Sequence, residues 1–192
     1  MTHRPSTSAA SDPRPLHYSI NVTLDGCCHH EGPRPTEAMH RYTAEILARA
    51  DALILGRVTY QMMEAGWRSP SPEMPEWMRP FGEVIGQARK YVVSRTLQSV
   101  DWNAELVQGD AVAAVRALKQ EPGNGLYVGG VDLPLQLADA GLIDEFELIV
   151  HSRIAGHGPT LFAGLKQPID LELTAQKDLG DGIIARTFVP RS

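Results

Sequence analysis

The sequence has few of the residues that staple or anchor a chain. Among 192 residues there are two cysteines, Cys27 and Cys28, and they are adjacent. Neighbouring cysteines rarely bridge each other because the geometry is strained, so a disulfide scaffold is excluded and a reducing compartment fits. No apolar run approaches the roughly 20 residues that span a bilayer, so no membrane partner is expected. Met1–Pro15 is rich in Ser, Pro, Ala and Arg and has no apolar segment of the secretory type. It reads as a disordered tail, and the expected location is the cytoplasm. Basic charge is also in short supply. Lys and Arg number 18 against 23 Asp and Glu, for a net charge of −5. They are scattered, whereas a nucleic-acid surface needs them clustered.

Usable metal ligands are missing as well. Cys27-Cys28-His29-His30 has the right residue types, but side-by-side residues of an extended chain point to opposite faces and do not converge on one ion. No metal site is expected. What remains is an ordinary globular composition, 43% hydrophobic and 21% charged, with no internal repeat and no long linker. One domain from Leu16 to the C-terminus is expected.

The elements alternate. Leu16–Leu24 reads as a strand from its period of two. Thr36 caps a helix over Glu37–Ala50. Ala52–Leu55 is a wholly apolar run of the buried parallel type, and a short helix from Arg57 to Glu64 follows. After an irregular segment from Gly66 to Pro80 come a helix over Phe81–Ala88 and strands at Lys90–Ser94 and Glu105–Val107. Asp110 caps Ala111–Gln120. Leu126–Val128 is a strand, Leu133–Ala140 a helix closed by Gly141, and Glu145–Val150 a strand. Leu171–Gln176 and Gly182–Val189 make an antiparallel pair. The fold class is therefore α/β, with a mixed, mainly parallel sheet flanked by helices and an antiparallel finish.

Two strand-to-helix junctions carry the chemistry. In open α/β sheets, ligands bind beyond the carboxyl ends of strands, where helix starts present free N–H groups to anions. The first junction is Leu55-Gly56-Arg57-Val58-Thr59. Arg57 falls in a first helical turn, where the macrodipole disfavours a cation, and a bound phosphate accounts for it. The second is Val128-Gly129-Gly130-Val131-Asp132, where paired glycines let a ligand pass over bare backbone. Between them lies Ser94-Arg95-Thr96, two hydroxyls around a guanidinium, which suits a phosphomonoester.

These pieces, taken with Asn21-Val22-Thr23-Leu24-Asp25-Gly26, Leu142-Ile143-Asp144-Glu145 and Gly156-His157-Gly158-Pro159-Thr160-Leu161-Phe162, resemble the dihydrofolate reductase superfamily. The nearer resemblance is to the reductase (RibD C-terminal) domain of bacterial riboflavin biosynthesis and its stand-alone relatives. It runs from Leu16 to Val189 and implies a three-layer dihydrofolate reductase-like fold and NADPH as cofactor. By that resemblance Gly56, Arg57 and Thr59 lie along the cofactor phosphates. Ser94, Arg95 and Thr96 surround the adenosine 2′-phosphate, and Gly129, Gly130, Val131 and Asp132 carry the pyrophosphate. Ile20 and Asn21 stand near the nicotinamide, under a cover loop that begins at Asp25. The Gly156–Phe162 segment in relatives tends to lie near a subunit contact, which implies a homodimer.

The substrate side departs from true dihydrofolate reductases, which place a carboxylate early in the first helix. Here His40 falls near that position, with Glu37 three residues before it on the same expected face. His40 as proton donor and Glu37 beside it are the candidate catalytic residues. Trp67 and Trp77 are candidates to wall a planar-ring pocket. The His-x-Glu and Pro-Cys-x-x-Cys motifs of the zinc deaminase domain often joined to this reductase are absent. The leading reading is an NADPH-dependent reductase of a small heterocyclic, carbonyl or imine substrate, such as a pyrimidine of the riboflavin pathway or a pterin. A non-catalytic NADP(H)-binding relative, regulatory or structural, is the alternative.

Overall fold

The structure is a computed structural model and describes residues 13–191. Its centre is an eight-stranded sheet ordered β4-β3-β2-β5-β1-β6-β8-β7. The strands are β1 (Leu16–Thr23), β2 (Ala52–Gly56), β3 (Lys90–Val93), β4 (Ala104–Val107), β5 (Leu126–Gly129), β6 (Glu145–His151), β7 (Leu171–Asp178) and β8 (Ile183–Pro190). From β4 through β6 every pairing is parallel, while β8 runs antiparallel to both β6 and β7. The helices are α1 (Glu37–Leu47), α2 (Arg57–Trp67), α3 (Arg79–Gln87), α4 (Ala111–Lys119) and α5 (Asp132–Asp139), with a 3-10 turn at Glu76–Met78.

The two larger apolar clusters among the described residues make three layers. On one face of the sheet, Leu53, Leu55, Val92 and Tyr127 pack with Ala44 and Leu47 of α1, Tyr60 of α2 and Phe81 and Ile85 of α3. On the other, Leu16, Tyr18, Ile54, Leu126, Val128 and Phe146 pack with Val115 of α4 and Leu133 and Leu137 of α5. Central strands covered on both faces must be apolar on both, and Ala52, Leu53, Ile54 and Leu55 are all buried. This is the expected α/β architecture, and the caps at Thr36 and Asp110 form: their side chains accept from Met39 N and Ala113 N.

Two buried cations inside this frame find partners. Lys90 is fully buried. Its Nζ donates to Ala88 O at 2.8 Å and Trp102 O at 3.0 Å and lies 4.3 Å from the centre of the Trp102 indole. Burial pushes its pKa down to about 8. Arg14 departs from the sequence reading, which placed it in a disordered tail. It is buried, with its guanidinium donating to Leu118 O at 2.8 Å and Glu121 Oε2 at 3.2 Å. The Leu118 carbonyl and the Glu121 carboxylate, in and just after the last turn of α4, hold the chain just before β1, which sequence spacing does not reveal. Residues 1–12 of the expected tail lie outside the described residues. Among the described residues no helix is long and apolar enough to cross a membrane.

Candidate functional site

A single cleft of about 1040 Å³ gathers the two glycine junctions and the helices α1, α2 and α3. It runs along the carboxyl ends of β3, β2 and β5, where open α/β sheets bind ligands. It then dips between α1, α2, α3 and the sheet face that carries Ser19, Asn21 and Tyr127.

The mouth carries the two glycine junctions and the Ser94 turn. Gly56 precedes α2 with an extended backbone and no side-chain cap, so the first N–H groups of α2 have no side-chain partner from it. Arg57 opens α2, exposed, and donates to Gln61 Oε1 at 3.1 Å. Ser94 is buried, and its Oγ accepts from Thr96 N at 3.2 Å and Leu97 N at 3.1 Å. That tight turn presents Arg95, which is exposed and forms no ion pair among the described residues. Gly130 has φ +100, and a Cβ there would run into Thr59 Oγ1. Glycine is therefore required by both conformation and space. The Tyr18 hydroxyl donates to the Gly130 carbonyl at 3.0 Å and fixes that peptide from beneath. Val131 and Asp132 continue the lining into α5.

The deeper wing is apolar and aromatic. Trp67 and Phe81 meet edge to face at 4.6 Å, and His40 lies 5.5 Å from Phe81 and 5.1 Å from Trp77. Trp67 lines the cleft; Trp77 stands behind His40 and does not. Asn21 lines the cleft and accepts through Oδ1 from His151 Nε2 at 2.9 Å. His151 is buried, and burial holds its pKa below the ordinary value.

Of the residues expected from sequence, Ile20, Asn21, Gly56, Arg57, Thr59, Ser94, Arg95, Gly129, Gly130, Val131, Asp132 and His40 line this one cleft. Three do not. Thr96 is exposed and turns back on Ser94. Asp25 is exposed and acts as a clamp: its carboxylate accepts from Thr23 Oγ1, from Ala155 N at 3.1 Å and from Gly156 N at 2.7 Å. Those bonds, the Thr23 hydroxyl first, hold its pKa well below the usual carboxylate range. Glu37 is exposed at the start of α1, 3.9 Å from Arg41. The buried stripe of α1 is Met39, His40, Ala44 and Leu47, which leaves Glu37 outside it.

His40 lines the cleft among the rings of Trp67, Trp77 and Phe81. Its Nδ1 lies 3.2 Å from Thr36 O. A carbonyl only accepts, so Nδ1 carries the proton and Nε2 keeps its lone pair. Burial lowers its pKa, partly opposed by that Thr36 bond. The sequence reading did not single out one buried carboxyl. Glu147 of β6 is buried beside Ser19 in register and takes the Tyr42 hydroxyl on Oε1. Burial raises its pKa against the opposing pull of Tyr42. The two cysteines are buried and free. The Cys28 thiol donates to Pro159 O at 3.3 Å, and burial pushes its pKa up. Among the described residues no group of three or more His, Cys, Asp or Glu is placed to hold a metal.

Known proteins share this architecture. The model of the RibD C-terminal domain matches residues 15–185. The uncharacterised protein YyaP of Bacillus subtilis is 28% identical over 141 residues, 73% of this chain and 74% of YyaP. A Shewanella sp. PV-4 protein assigned to riboflavin biosynthesis superposes with a TM-score of 0.72 at 21% identity, covering 93% of this chain and 99% of that one. Dihydrofolate reductase from Enterococcus faecalis, complexed with NADP(H), superposes with a TM-score of 0.64 at 14% identity, over 93% of this chain and 97% of that one. With a match across 15–185 and a dihydrofolate reductase-like fold, the chain belongs to the RibD C-terminal domain family.

Proposed function

We propose that this chain is an NADPH-dependent reductase that transfers hydride to a C=N or C=O group of a small substrate. The observation that carries the reading is the gathering of Arg57, Arg95, Ser94 and the Gly129-Gly130 turn at one cleft mouth. The residues fit a phosphorylated dinucleotide. Gly130 leaves backbone that any Cβ would obstruct. Ser94 Oγ accepts twice within its turn, which leaves its O–H to donate. Arg95 is free to fork onto a 2′-phosphate. Asp132 in the first turn of α5 disfavours an anion on its own carboxylate, so phosphate contacts there fall to the backbone of Gly130 and Val131.

Bound NADPH would supply the hydride. The chain's part is to hold donor and acceptor together and keep water out. The apolar walls of Trp67, Phe81 and Met63 exclude water. His40 Nε2, the Ser19 hydroxyl and the Thr43 hydroxyl are the polar groups that orient the substrate. Family membership and the likeness to an NADP(H)-bound fold support the reading. A homodimer is part of the same proposal, and light scattering at twice the 21.0 kDa chain mass would support it. Titration of the pure protein with NADPH, followed by quenching of tryptophan fluorescence, tests the cofactor. Saturable quenching is expected; no binding at about millimolar NADPH rejects the proposal.

A further inference from the structure

One buried imidazole has a single side-chain partner among the described residues, and that partner lines the cleft. His151 ends β6 and is 3% exposed. It lies on the sheet face that also carries Ile149, Ile183 and Ala185, which pack with Met39 of α1. A polar ring buried among apolar side chains costs free energy unless it is hydrogen-bonded. The bond it makes is to Asn21, two residues before Thr23, its register partner on β1: Asn21 Oδ1 accepts from His151 Nε2 at 2.9 Å. Burial holds the imidazole below its ordinary pKa, so near neutral pH it is uncharged. An amide oxygen only accepts, so the one N–H of the neutral ring sits on Nε2.

That bond decides which end of the Asn21 amide is left for a ligand. The two ends are alike in shape and differ in what they offer, a C=O that accepts or an N–H2 that donates. With Oδ1 engaged on β6, Nδ2 remains. It has no protein partner among the described residues and is not a buried orphan, so its hydrogens are reachable from the cleft that Asn21 lines. Its height in the sheet is also fixed. β1 and β5 are parallel neighbours, paired as far as Tyr18 and Val128. Asn21 lies beyond Tyr18 as the Gly129-Gly130 turn lies beyond Val128. A ligand held by that turn is therefore the one that Asn21 meets.

We infer that His151 is a positioning residue: it fixes the Asn21 amide with its N–H2 toward the cleft, so that Asn21 donates to the carboxamide oxygen of the cofactor's nicotinamide ring. This rests on the proposed function, which places NADPH at the cleft mouth. A carboxamide carries one C=O and one N–H2, so either end of an asparagine matches it. Only the imidazole behind Asn21 makes the two ends unequal. Without His151 the amide is free to turn, and Oδ1 would then accept from the carboxamide N–H2 instead.

Two analogues of NADP+ separate the two ends by calorimetry. The thionicotinamide analogue replaces the carboxamide oxygen by sulfur, a weak acceptor. The acetylpyridine analogue keeps the C=O and loses the N–H2. Wild type should bind the acetylpyridine analogue about as tightly as NADP+ and the thio analogue about fivefold more weakly, the loss of one uncharged hydrogen bond. Asn21→Ala should bind NADP+ and the thio analogue alike. His151→Leu should lose the same preference, and His151→Gln, which keeps an N–H donor, should retain it. A merely structural role for His151 would weaken all three ligands together and leave their ratios unchanged, which overturns the inference. If His151→Leu does not fold, the imidazole nitrogen NMR shifts of wild type carry the test: the Nε2–H tautomer is expected, and the Nδ1–H tautomer overturns it. No preference in wild type, or a weak acetylpyridine analogue beside an unaffected thio analogue, overturns the inference and leaves the cofactor reading standing. No binding of NADP+ at about millimolar concentration rejects the proposed function and this inference with it.

Discussion

The Tyr18 hydroxyl donates to the Gly130 carbonyl at 3.0 Å, so a side chain from one apolar core fixes the glycine turn that lines the cleft on the other side of β5. Tyr18 is fully buried, packed edge-on by Phe146 and Phe162. Burial raises the phenol pKa, so it stays a donor at any physiological pH. Tyr18→Phe removes one hydrogen bond and leaves a carbonyl unpaired, a loss of about 1–2 kcal/mol. The expected outcome is a modest drop in urea stability together with several-fold weaker NADPH binding. Unchanged NADPH affinity would mean that the turn holds its shape without the tyrosine.

Gly130→Ala should act more sharply. The substitution forces φ +100 on a residue with a Cβ and drives that Cβ into Thr59 Oγ1. Strain of this kind costs about 1–3 kcal/mol. Relief requires the α2 start to move, and Arg57 and Thr59 move with it. Calorimetry should show a lower melting temperature and a loss of NADPH binding of tenfold or more. Wild-type binding in Gly130→Ala would show that this turn does not meet the cofactor.

Stability should depend on pH in two opposite senses, for separate reasons. Burial raises Glu147 above its ordinary value of 4.5, so the folded chain keeps a proton that the unfolded chain releases. The stability this group gives is fully present below 4.5 and is lost as pH rises through the raised value. His40 and His151 work in the opposite sense. Burial lowers both below 6.5, so their contribution is present above 6.5 and is lost as pH falls through the lowered values. Glu147→Gln cancels the first effect alone. Its melting temperature relative to wild type should rise as pH increases from the ordinary carboxyl value through the raised one, and then level off. A difference that does not change with pH would show an ordinary carboxyl.

The sequence made the cleft mouth legible because glycine is conspicuous where backbone must come close. Gly56, Gly129 and Gly130 follow short apolar runs, and no other residue type announces a turn so plainly. Glu147 was hidden for the opposite reason. In Glu145-Phe146-Glu147-Leu148 it alternates with apolar neighbours and reads as a solvent-facing strand residue. Only the pairing of β6 with β1, and the arrival of Tyr42 from α1, bury it. Glu37 shows the limit of helical spacing. Three residues from His40, it shares a broad face, yet it sits in the first turn and pairs outward with Arg41. Asp25 was legible as part of a loop motif, but its partners, the N–H groups of Ala155 and Gly156, lie 130 and 131 residues away.

The central claim is an NADPH site in which Arg95 meets the 2′-phosphate, and one calorimetric comparison tests it most directly: NADPH and NADH titrated into wild type and into Arg95→Ala. NADPH should bind wild type at least tenfold more tightly than NADH, and Arg95→Ala should bring NADPH close to NADH while leaving NADH affinity unchanged. Equal affinity of wild type for the two cofactors, or no binding of either at about millimolar concentration, would contradict the account.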